Sequence, residues 1–154
     1  MGSINSRAKG AAAEREFIRK LGDYLGDEAA AKLKRNLEQT RQGGHDIEGL
    51  EEWALEIKRY RQVKDGDILK FWGQAERQAQ AVGRIPALAY REDMQSWRIR
   101  VPMSVLRPDF AWTGVEWTAE LGMEAFATLV RERLCSSLHI SESPDTLPPI
   151  SDGS

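Results

Sequence analysis

The chain has 154 residues, of which 41% are hydrophobic and 30% charged, a composition that excludes a disordered or fibrous protein and fits one folded domain. No apolar run approaches the roughly 20 residues of a membrane helix, and the single cysteine, Cys135, excludes an internal disulfide and favours a reducing cytoplasm. The net charge of −2 is unevenly divided, since residues 1–102 carry 19 Lys and Arg against 16 Asp and Glu whereas residues 103–154 carry 3 against 8, a balance that permits a nucleic-acid partner without demanding one.

The first predicted element is an amphipathic helix from about Arg7 to Leu25, with Ser6 as its candidate N-cap. Its apolar side chains recur every four residues and form one core-facing stripe, at Ala13, Phe17, Leu21 and Leu25. Two basic residues, Arg7 and Lys9, lie in the first turn, where positive charge opposes the helix dipole. They could bind a phosphate or lie in solvent, and the local sequence alone favours solvent.

The next segment is predicted to form a hairpin. A short helical turn is expected over Glu28–Lys32, and residues 33–42 follow as a predicted strand that ends at the pair Gly43-Gly44. Residues 48–51 are predicted to form the hairpin turn. The second strand is then predicted from Glu52 to Arg61.

Chemically active side chains are concentrated in this second strand and the turn before it. Large apolar residues alternate there with small or charged ones, which places the two sets on opposite faces: Trp53, Leu55 and Ile57 against Ala54, Glu56 and Lys58. Asp46 enters from a glycine-containing turn upstream. Two carboxylates and an ammonium therefore converge at the end of a small sheet, which suits the binding of Mg²⁺ or Mn²⁺ over a phosphate. The alternative is a surface strand with a Glu–Lys pair, because Asp-x9-Glu-x-Lys alone often occurs by chance.

A further helix is predicted from Asp67 to Val82 and is stopped by Gly83. Its polar side includes Gln74. Its buried face is predicted to consist of Leu69, Trp72, Ala75, Ala79 and Val82.

The remaining elements complete a mixed sheet. Residues 85–90 and 97–101 are predicted as antiparallel strands, residues 104–116 as a loop, and residues 118–134 as a last amphipathic helix. The order of elements predicts an α/β or α+β fold, a mixed sheet flanked by helices.

Residues 1–135 are assigned to one domain with a core at 7–102 and a helical extension at 103–135. Residues 136–154 are poor in bulky side chains and are predicted to form a disordered acidic tail.

Four blocks of this sequence stand in one collinear order over residues 7–102. They are Arg7-x-Lys9-Gly10 with Glu14-Arg15-Glu16; Gly44-x-Asp46-Ile47; Leu55-Glu56-Ile57-Lys58; and Gly83-x-Ile85-Pro86 through Tyr90, followed by Trp97-Arg98-Ile99. Together they resemble archaeal-type Holliday-junction resolvases, which belong to the PD-(D/E)xK nuclease superfamily. Collinear blocks are much more specific than the spacing of one short motif.

The resemblance implies a restriction-endonuclease-like fold and a role for each matching residue. It makes Asp46 and Glu56 ligands of Mg²⁺ or Mn²⁺ and Lys58 the active-site lysine. Glu14 would complete the acidic cluster, with Glu16 as its competitor for that place.

The resemblance also implies contacts with the DNA backbone, at Arg7 and Lys9. Arg59 and Gln74 are further candidates for contact with DNA or support of the site. His45 stands where the superfamily's name has proline; it is interpreted as a plain turn residue, with a contact to water or phosphate as the alternative.

The function that these features favour is a metal-dependent, structure-selective DNA endonuclease. A Holliday-junction resolvase would act as a homodimer on branched DNA and make paired nicks near the branch point during recombination or replication. One alternative is a non-catalytic nucleic-acid-binding module with a nuclease fold, although the presence of all four site residues argues for activity. Another is a restriction-type or repair nuclease that acts on duplex DNA.

Four tryptophans offer more aromatic surface than one small core normally needs: Trp53, Trp72, Trp112 and Trp117. Two interpretations have equal weight: all four lie in the core, or some of them lie at a dimer interface.

Overall fold

The computed structural model of the protein describes residues 3–37 and 45–141, with side chains described for residues 8–37 and 45–134. The described helices are α1 (Ser3–Leu25), α2 (Asp27–Lys32), α3 (Asp65–Val82) and α4 (Met123–Ser141). The described strands are β1 (Lys34–Arg35), β2 (Ile47–Glu48), β3 (Trp53–Tyr60), β4 (Ile85–Glu92), β5 (Arg98–Pro102) and β6 (Thr118–Leu121). Within these ranges, no helix combines the length and the apolar character needed to cross a membrane.

The main sheet has the strand order β3-β4-β5-β6. β3 and β4 run parallel and are connected through α3, whereas β4, β5 and β6 are antiparallel neighbours. β1 and β2 form a separate two-stranded antiparallel sheet, in which Arg35 lies opposite Ile47. This mixed sheet between helices confirms the predicted fold class.

Helices cover the sheet on both sides. On one side α1 and α4 pack over β3 and β5, in a core that includes Phe17, Leu21, Leu55, Ile57, Ile99, Val101 and Phe126. On the other side α3 packs its buried residues Phe71, Trp72 and Ala75 against Leu88 and Tyr90 of β4. The parallel register places Glu56 beside Leu88 and Lys58 beside Tyr90. The charged residues of β3 therefore face the α3 side of the sheet.

The predicted hairpin is replaced by a different pairing. The described part of the segment 33–42 is a strand only at Lys34–Arg35, and it pairs with β2 instead of β3. Residues 38–42 and the predicted Gly43-Gly44 turn lie outside the described residues. The first helix, α1, begins at Ser3, so Ser6 lies within it and the prediction of a cap at Ser6 is wrong. The short helix before β1 and the strand β3 are confirmed.

Two further predictions need correction. On α3, Leu69 and Val82 are 60% and 46% exposed, because the buried face follows Phe71, Trp72, Ala75 and Ala79 instead. Residues 118–121, predicted as the start of the last helix, form the edge strand β6. Leu121 fits a helical repeat with later apolar residues, but its pairing with Ile99 of β5 decides its conformation.

The last helix starts after Gly122 and extends to Ser141, past the predicted end at Leu134. Residues 136–141, predicted as part of a disordered tail, thus continue α4. Residues 142–154 lie outside the described residues.

Gly49 makes the turn between β2 and β3 possible. Its φ is 105°, and a Cβ atom at this position would lie 2.3 Å from the carbonyl oxygen of Lys32. Only glycine combines this left-handed conformation with so close an approach. The end of α2 and the start of β3 are thereby held together, with Asp46 between them in the chain.

The tryptophans divide between core and surface. Trp53 and Trp72 are each 2% exposed and belong to the core. Trp112 is 55% exposed and stacks on the half-buried Trp117, with ring centroids 4.5 Å apart.

Candidate active site

Asp46 is fixed to the middle of β3 by its own backbone and side chain. Its N–H donates to the carbonyl of Leu55 at 2.8 Å, and its carboxylate Oδ2 accepts a hydrogen bond from the N–H of Ile57 at 2.6 Å. Asn36, just after β1, donates its N–H to the Asp46 carbonyl at 2.9 Å. The Asp46 carboxylate is therefore buried beside the strand residues that flank Glu56.

Glu56 and Lys58 form an ion pair on the α3 side of β3. The Lys58 ammonium lies 2.9 Å from Glu56 Oε1, and both side chains are largely buried. The same ammonium lies 5.2 Å from the centroid of the Phe71 ring, an attractive cation–π arrangement. Phe71 of α3 and Glu56 of β3 thus fix the position of Lys58 from two sides.

Glu14 of α1 joins this group from a third element. It is 7% exposed, and its Oε2 accepts a hydrogen bond from Arg35 Nε at 2.5 Å. Its charge contributes to the raised pKa of Asp46, which places the two carboxylates within electrostatic reach of each other. The structure therefore brings together the four residues that the sequence singled out: Glu14, Asp46, Glu56 and Lys58.

Burial and like charge dominate the electrostatics of the site. Burial raises the pKa of Asp46 to about 8, and the nearby Glu56 carboxylate adds to the effect against the lowering contribution of the Ile57 N–H. Burial alone would lower the pKa of Lys58, but its contact with Glu56 outweighs that and leaves the pKa raised. Lys58 is therefore a cation at neutral pH, whereas the carboxyl group of Asp46 keeps its proton there in the absence of a cation.

The donor set fits a hard divalent cation. Within residues 3–37 and 45–141, no group of three Asp, Glu, His or Cys side chains is arranged to hold a metal ion by itself. Mg²⁺ does not need such a cage, since it is usually bound by one or two carboxylates together with waters and substrate phosphates. Glu56 Oε2 is buried and has no hydrogen-bond partner among the described groups. A cation between Asp46 and Glu56 would supply a partner for this oxygen and reduce the repulsion between the carboxylates.

Glu16, the competitor of Glu14 for the acidic cluster, has other partners. It accepts hydrogen bonds from Trp97 Nε1 at 3.1 Å, from Arg91 at 3.3 Å and from Arg59 at 3.3 Å. These contacts join α1 to β3, to β4 and to the residue just before β5. Arg59, a candidate DNA contact, is thus engaged by Glu16, and its Nε also lies 3.5 Å from Asp93 Oδ1.

The other candidate residues lie on α1 and α3. Lys9 is exposed on α1, whereas the side chain of Arg7 lies outside the described residues. Gln74 is half-buried on α3, one turn after Phe71. Their contacts with DNA stay predictions.

His45 is more buried than a plain turn residue, with 8% exposure. Its Nε2 lies 3.4 Å from Arg84 Nη1, and burial followed by this positive charge lowers the pKa of the ring. Arg84 Nη1 also reaches the carbonyls of Leu50 and Trp53 at 3.4 Å each. His45 therefore contributes to the packing of the turn that carries Asp46.

Two residues of the site were missed by reasoning from the sequence. Arg35 is 21 residues from Glu14 in the chain, in a segment with no clear periodicity, and no local pattern indicates the contact. Phe71 is adjacent to Trp72 on α3, and a shift of the predicted buried face by one residue would have included it.

Comparisons with known proteins identify a family that matches most of the chain. The model of the family described as "Phage putative PDDEXK endonuclease" matches residues 5–111 of the chain. Among solved structures, a similar one is Hjc, a Holliday junction resolvase from the archaeal hyperthermophile Archaeoglobus fulgidus. It has a TM-score of 0.43 and 14% sequence identity, over 77% of this chain and 96% of that chain. A search of curated proteins found no significant match. Because the family match covers more than half of the chain and includes all four site residues, the chain belongs to this phage PDDEXK endonuclease family within the PD-(D/E)xK nuclease superfamily.

Proposed function

We propose that this endonuclease is a metal-dependent, structure-selective enzyme that resolves four-way DNA junctions by paired nicks near the branch point. The observation that carries the proposal is the convergence of three acidic side chains and one lysine, from α1, β3 and the bend before β2, in a chain of the PDDEXK family. The junction substrate is supported by the four collinear sequence blocks that resemble junction resolvases. A phage or prokaryotic origin, with action in the cytoplasm during recombination or replication, fits the family.

Asp46 and Glu56, with Glu14 beside them, would hold the cation, and Mg²⁺ or Mn²⁺ suits these hard oxygen ligands. When bound, such an ion makes a coordinated water more acidic and offsets the charge on the phosphate. The protein's own hydrogen bonds hold these carboxylates in position. Asp46 is fixed by Ile57 and Leu55 of β3, and Arg35 holds Glu14.

Lys58 would act as a hydrogen-bond donor. In the metal-free protein its raised pKa keeps the ammonium protonated at neutral pH, which suits a hydrogen-bond donor. Glu56 and Phe71 leave it directed along the α3 side of the sheet. From there it can orient the attacking water or stabilise the negative charge that grows on the phosphate oxygens. The attacking water would lose a proton to solvent as it bonds to phosphorus, while the bond to the leaving oxygen breaks and that oxygen takes up a proton from solvent.

The proposed enzyme works as a homodimer. A four-way junction has near two-fold symmetry, and two identical active sites related by a two-fold axis would cut two strands at equivalent positions.

One gel tests the proposal. Labelled four-way junction, splayed arm and linear duplex of shared sequence are each incubated with the full chain in Mg²⁺, in Mn²⁺ and in EDTA. We expect paired nicks in the junction with either metal, much less cutting of the duplex, and no cutting in EDTA. Equal cutting of duplex and junction would leave an endonuclease and remove the resolvase. No cutting of any substrate with either metal would favour the non-catalytic binding module.

A further inference from the structure

An exposed aromatic side chain lies immediately beside the catalytic lysine. Tyr60 is two residues after Lys58 on β3, so its side chain stands on the same side of the sheet, roughly 7 Å further along the strand. Its ring stacks on Phe71, with centroids 5.3 Å apart and ring planes within 11°. Phe71 is also the ring that lies 5.2 Å from the Lys58 ammonium. One phenylalanine thus supports both the catalytic cation and the tyrosine.

The tyrosine ring is held in place but is not covered. Its backbone pairs with Glu92 of β4, and its carbonyl accepts a hydrogen bond from the N–H of Asp93 at 3.1 Å. Phe71 beneath it is 8% exposed, whereas Tyr60 is 46% exposed. Because one face of the Tyr60 ring lies against Phe71, the exposed area belongs to its opposite face and its edge. The structure therefore presents a flat, oriented aromatic surface within one nucleotide's reach of the proposed cutting position.

We propose that Tyr60 is a stacking platform for one nucleobase next to the scissile phosphate, so that the enzyme prefers DNA in which that base is unstacked from its neighbours. This inference rests on the proposed function and specifies its substrate. Every base has a π-face, so such a platform accepts any base without reading sequence. Bases at a branch point or in a single-stranded arm can leave the helical stack at little cost, whereas a base within continuous duplex cannot.

The surroundings favour a nucleic acid as the occupant of this surface. The chain continues from Tyr60 into the exposed cations Arg61 and Lys64 before α3 begins. Positive charge beside an aromatic platform is the combination that binds single-stranded nucleic acid, since the cations follow the phosphates while the ring holds a base. The alternative is that Tyr60 only shields Phe71 from water, in which case any large apolar side chain would replace it without effect on DNA.

A set of modified junctions separates these two roles. After the nick has been mapped, a set of junctions is made, each with one abasic nucleotide at one of the three positions on either side of the nick. The affinity of the full chain for each junction is measured by fluorescence anisotropy in EDTA. For the unaltered chain we expect one abasic position to weaken binding about tenfold, the typical contribution of one base–aromatic stack. Tyr60→Leu should weaken binding of the intact junction by a similar factor and be insensitive to the abasic nucleotide at that position.

Two variants serve as matched controls. Tyr60→Phe keeps the ring and should bind intact and abasic junctions as the unaltered chain does. Tyr24→Leu changes a tyrosine of similar exposure, 43%, on α1, and should retain both the affinity and the response to the abasic nucleotide. The scan on the unaltered chain requires no variant, so a Tyr60→Leu protein that fails to fold leaves the test intact.

The outcomes distinguish this inference from the proposed function. If the unaltered chain cuts junctions normally but no abasic position weakens its affinity, Tyr60 is not a platform and only this inference fails. The same holds if Tyr60→Leu and the abasic nucleotide each weaken the affinity and their factors multiply when combined. If the unaltered chain neither binds nor cuts branched DNA, the proposed function fails and the inference fails with it.

Discussion

The carboxyl group of Asp46 lies in a buried position between Glu56 and Glu14, where ionisation is opposed by burial and by like charge. The hydrogen bond that its carboxylate accepts from the Ile57 N–H offsets only part of this effect. A protein that served no ligand here would be more stable with a neutral side chain. The cost of ionising Asp46 is what we expect of a site that, under the proposed function, is completed by a cation.

This position has a consequence for stability in the absence of metal. The pKa of Asp46 is about 8 in the folded chain against an ordinary value of 3.8. Between these values the unfolded chain has released the proton while the folded chain keeps it, so the free energy of unfolding falls as the pH rises from about 4 to 8 and becomes level above that. Asp46→Asn removes this dependence, and we expect its stability relative to the unaltered chain to rise by about 1 kcal/mol or more between pH 5 and pH 8.

Urea unfolding in EDTA at several pH values measures this difference. The change in the free energy of unfolding with pH is compared between the two proteins. Its absolute value is less informative, because the amide side chain also changes local hydrogen bonds. If the free energy of unfolding depends on pH in the same way in both proteins, burial and the neighbouring carboxylates do not raise the pKa of Asp46.

At the scale of elements, α1 carries two acidic residues with separate tasks. Glu14 faces the site and contacts Arg35, whereas Glu16 contacts Trp97, Arg91 and Arg59 of the main sheet. Glu16 therefore anchors α1 to the sheet, and this also positions Glu14, which lies two residues earlier on the same helix. The two roles cannot be told apart from the order of residues in the chain, since both carboxylates lie between Ala13 and Phe17 of the same apolar stripe.

We expect Glu16→Ala to destabilise the folded chain by roughly 1–3 kcal/mol, because it leaves the half-buried Arg91 and the buried Trp97 donors without their charged acceptor. Thermal and urea unfolding provide the measurement. Glu51→Ala, at an exposed glutamate in the turn before β3, is the matched control and should have little effect. Equal stabilities of the two variants would contradict the anchoring role of Glu16.

The elements that could be predicted from the sequence are those in which a regular pattern of apolar residues extends over many consecutive positions. The alternation along β3 identified the strand and the shared face of Glu56 and Lys58 correctly, and Gly83 ended α3 as expected. β6 could not be identified, because it has only four residues and its stability comes from pairing with β5. The contact of Arg35 with Glu14 also depends on two distant segments, and no local pattern encodes it.

At the scale of the whole molecule, charge is separated along the chain. The acidic residues are in excess after residue 103, and the basic start of α1 lies in the part that carries the site. Under the proposed function, Arg7 and Lys9 would contact backbone phosphates near each cutting position.

We therefore expect Arg7→Ala combined with Lys9→Ala to weaken junction binding and to reduce the dependence of affinity on salt by about two phosphate contacts per protomer. Affinities measured over a series of salt concentrations give this slope. Arg107→Ala combined with Arg131→Ala removes two cations from the acidic extension and should leave the slope unchanged. The same change in slope for both pairs would show that only overall charge matters.

The central claim is that the carboxylates at β3 hold a metal ion that is required for cutting and not for binding DNA. The most direct measurement compares the unaltered chain with Asp46→Asn and Glu56→Gln, each assayed for nicking of a labelled four-way junction in Mg²⁺ and for junction affinity in EDTA. We predict that each substitution lowers the nicking rate by more than about a hundredfold, while the affinity stays within a few-fold of the unaltered chain. Undiminished cutting by Asp46→Asn would contradict the assignment of the metal site.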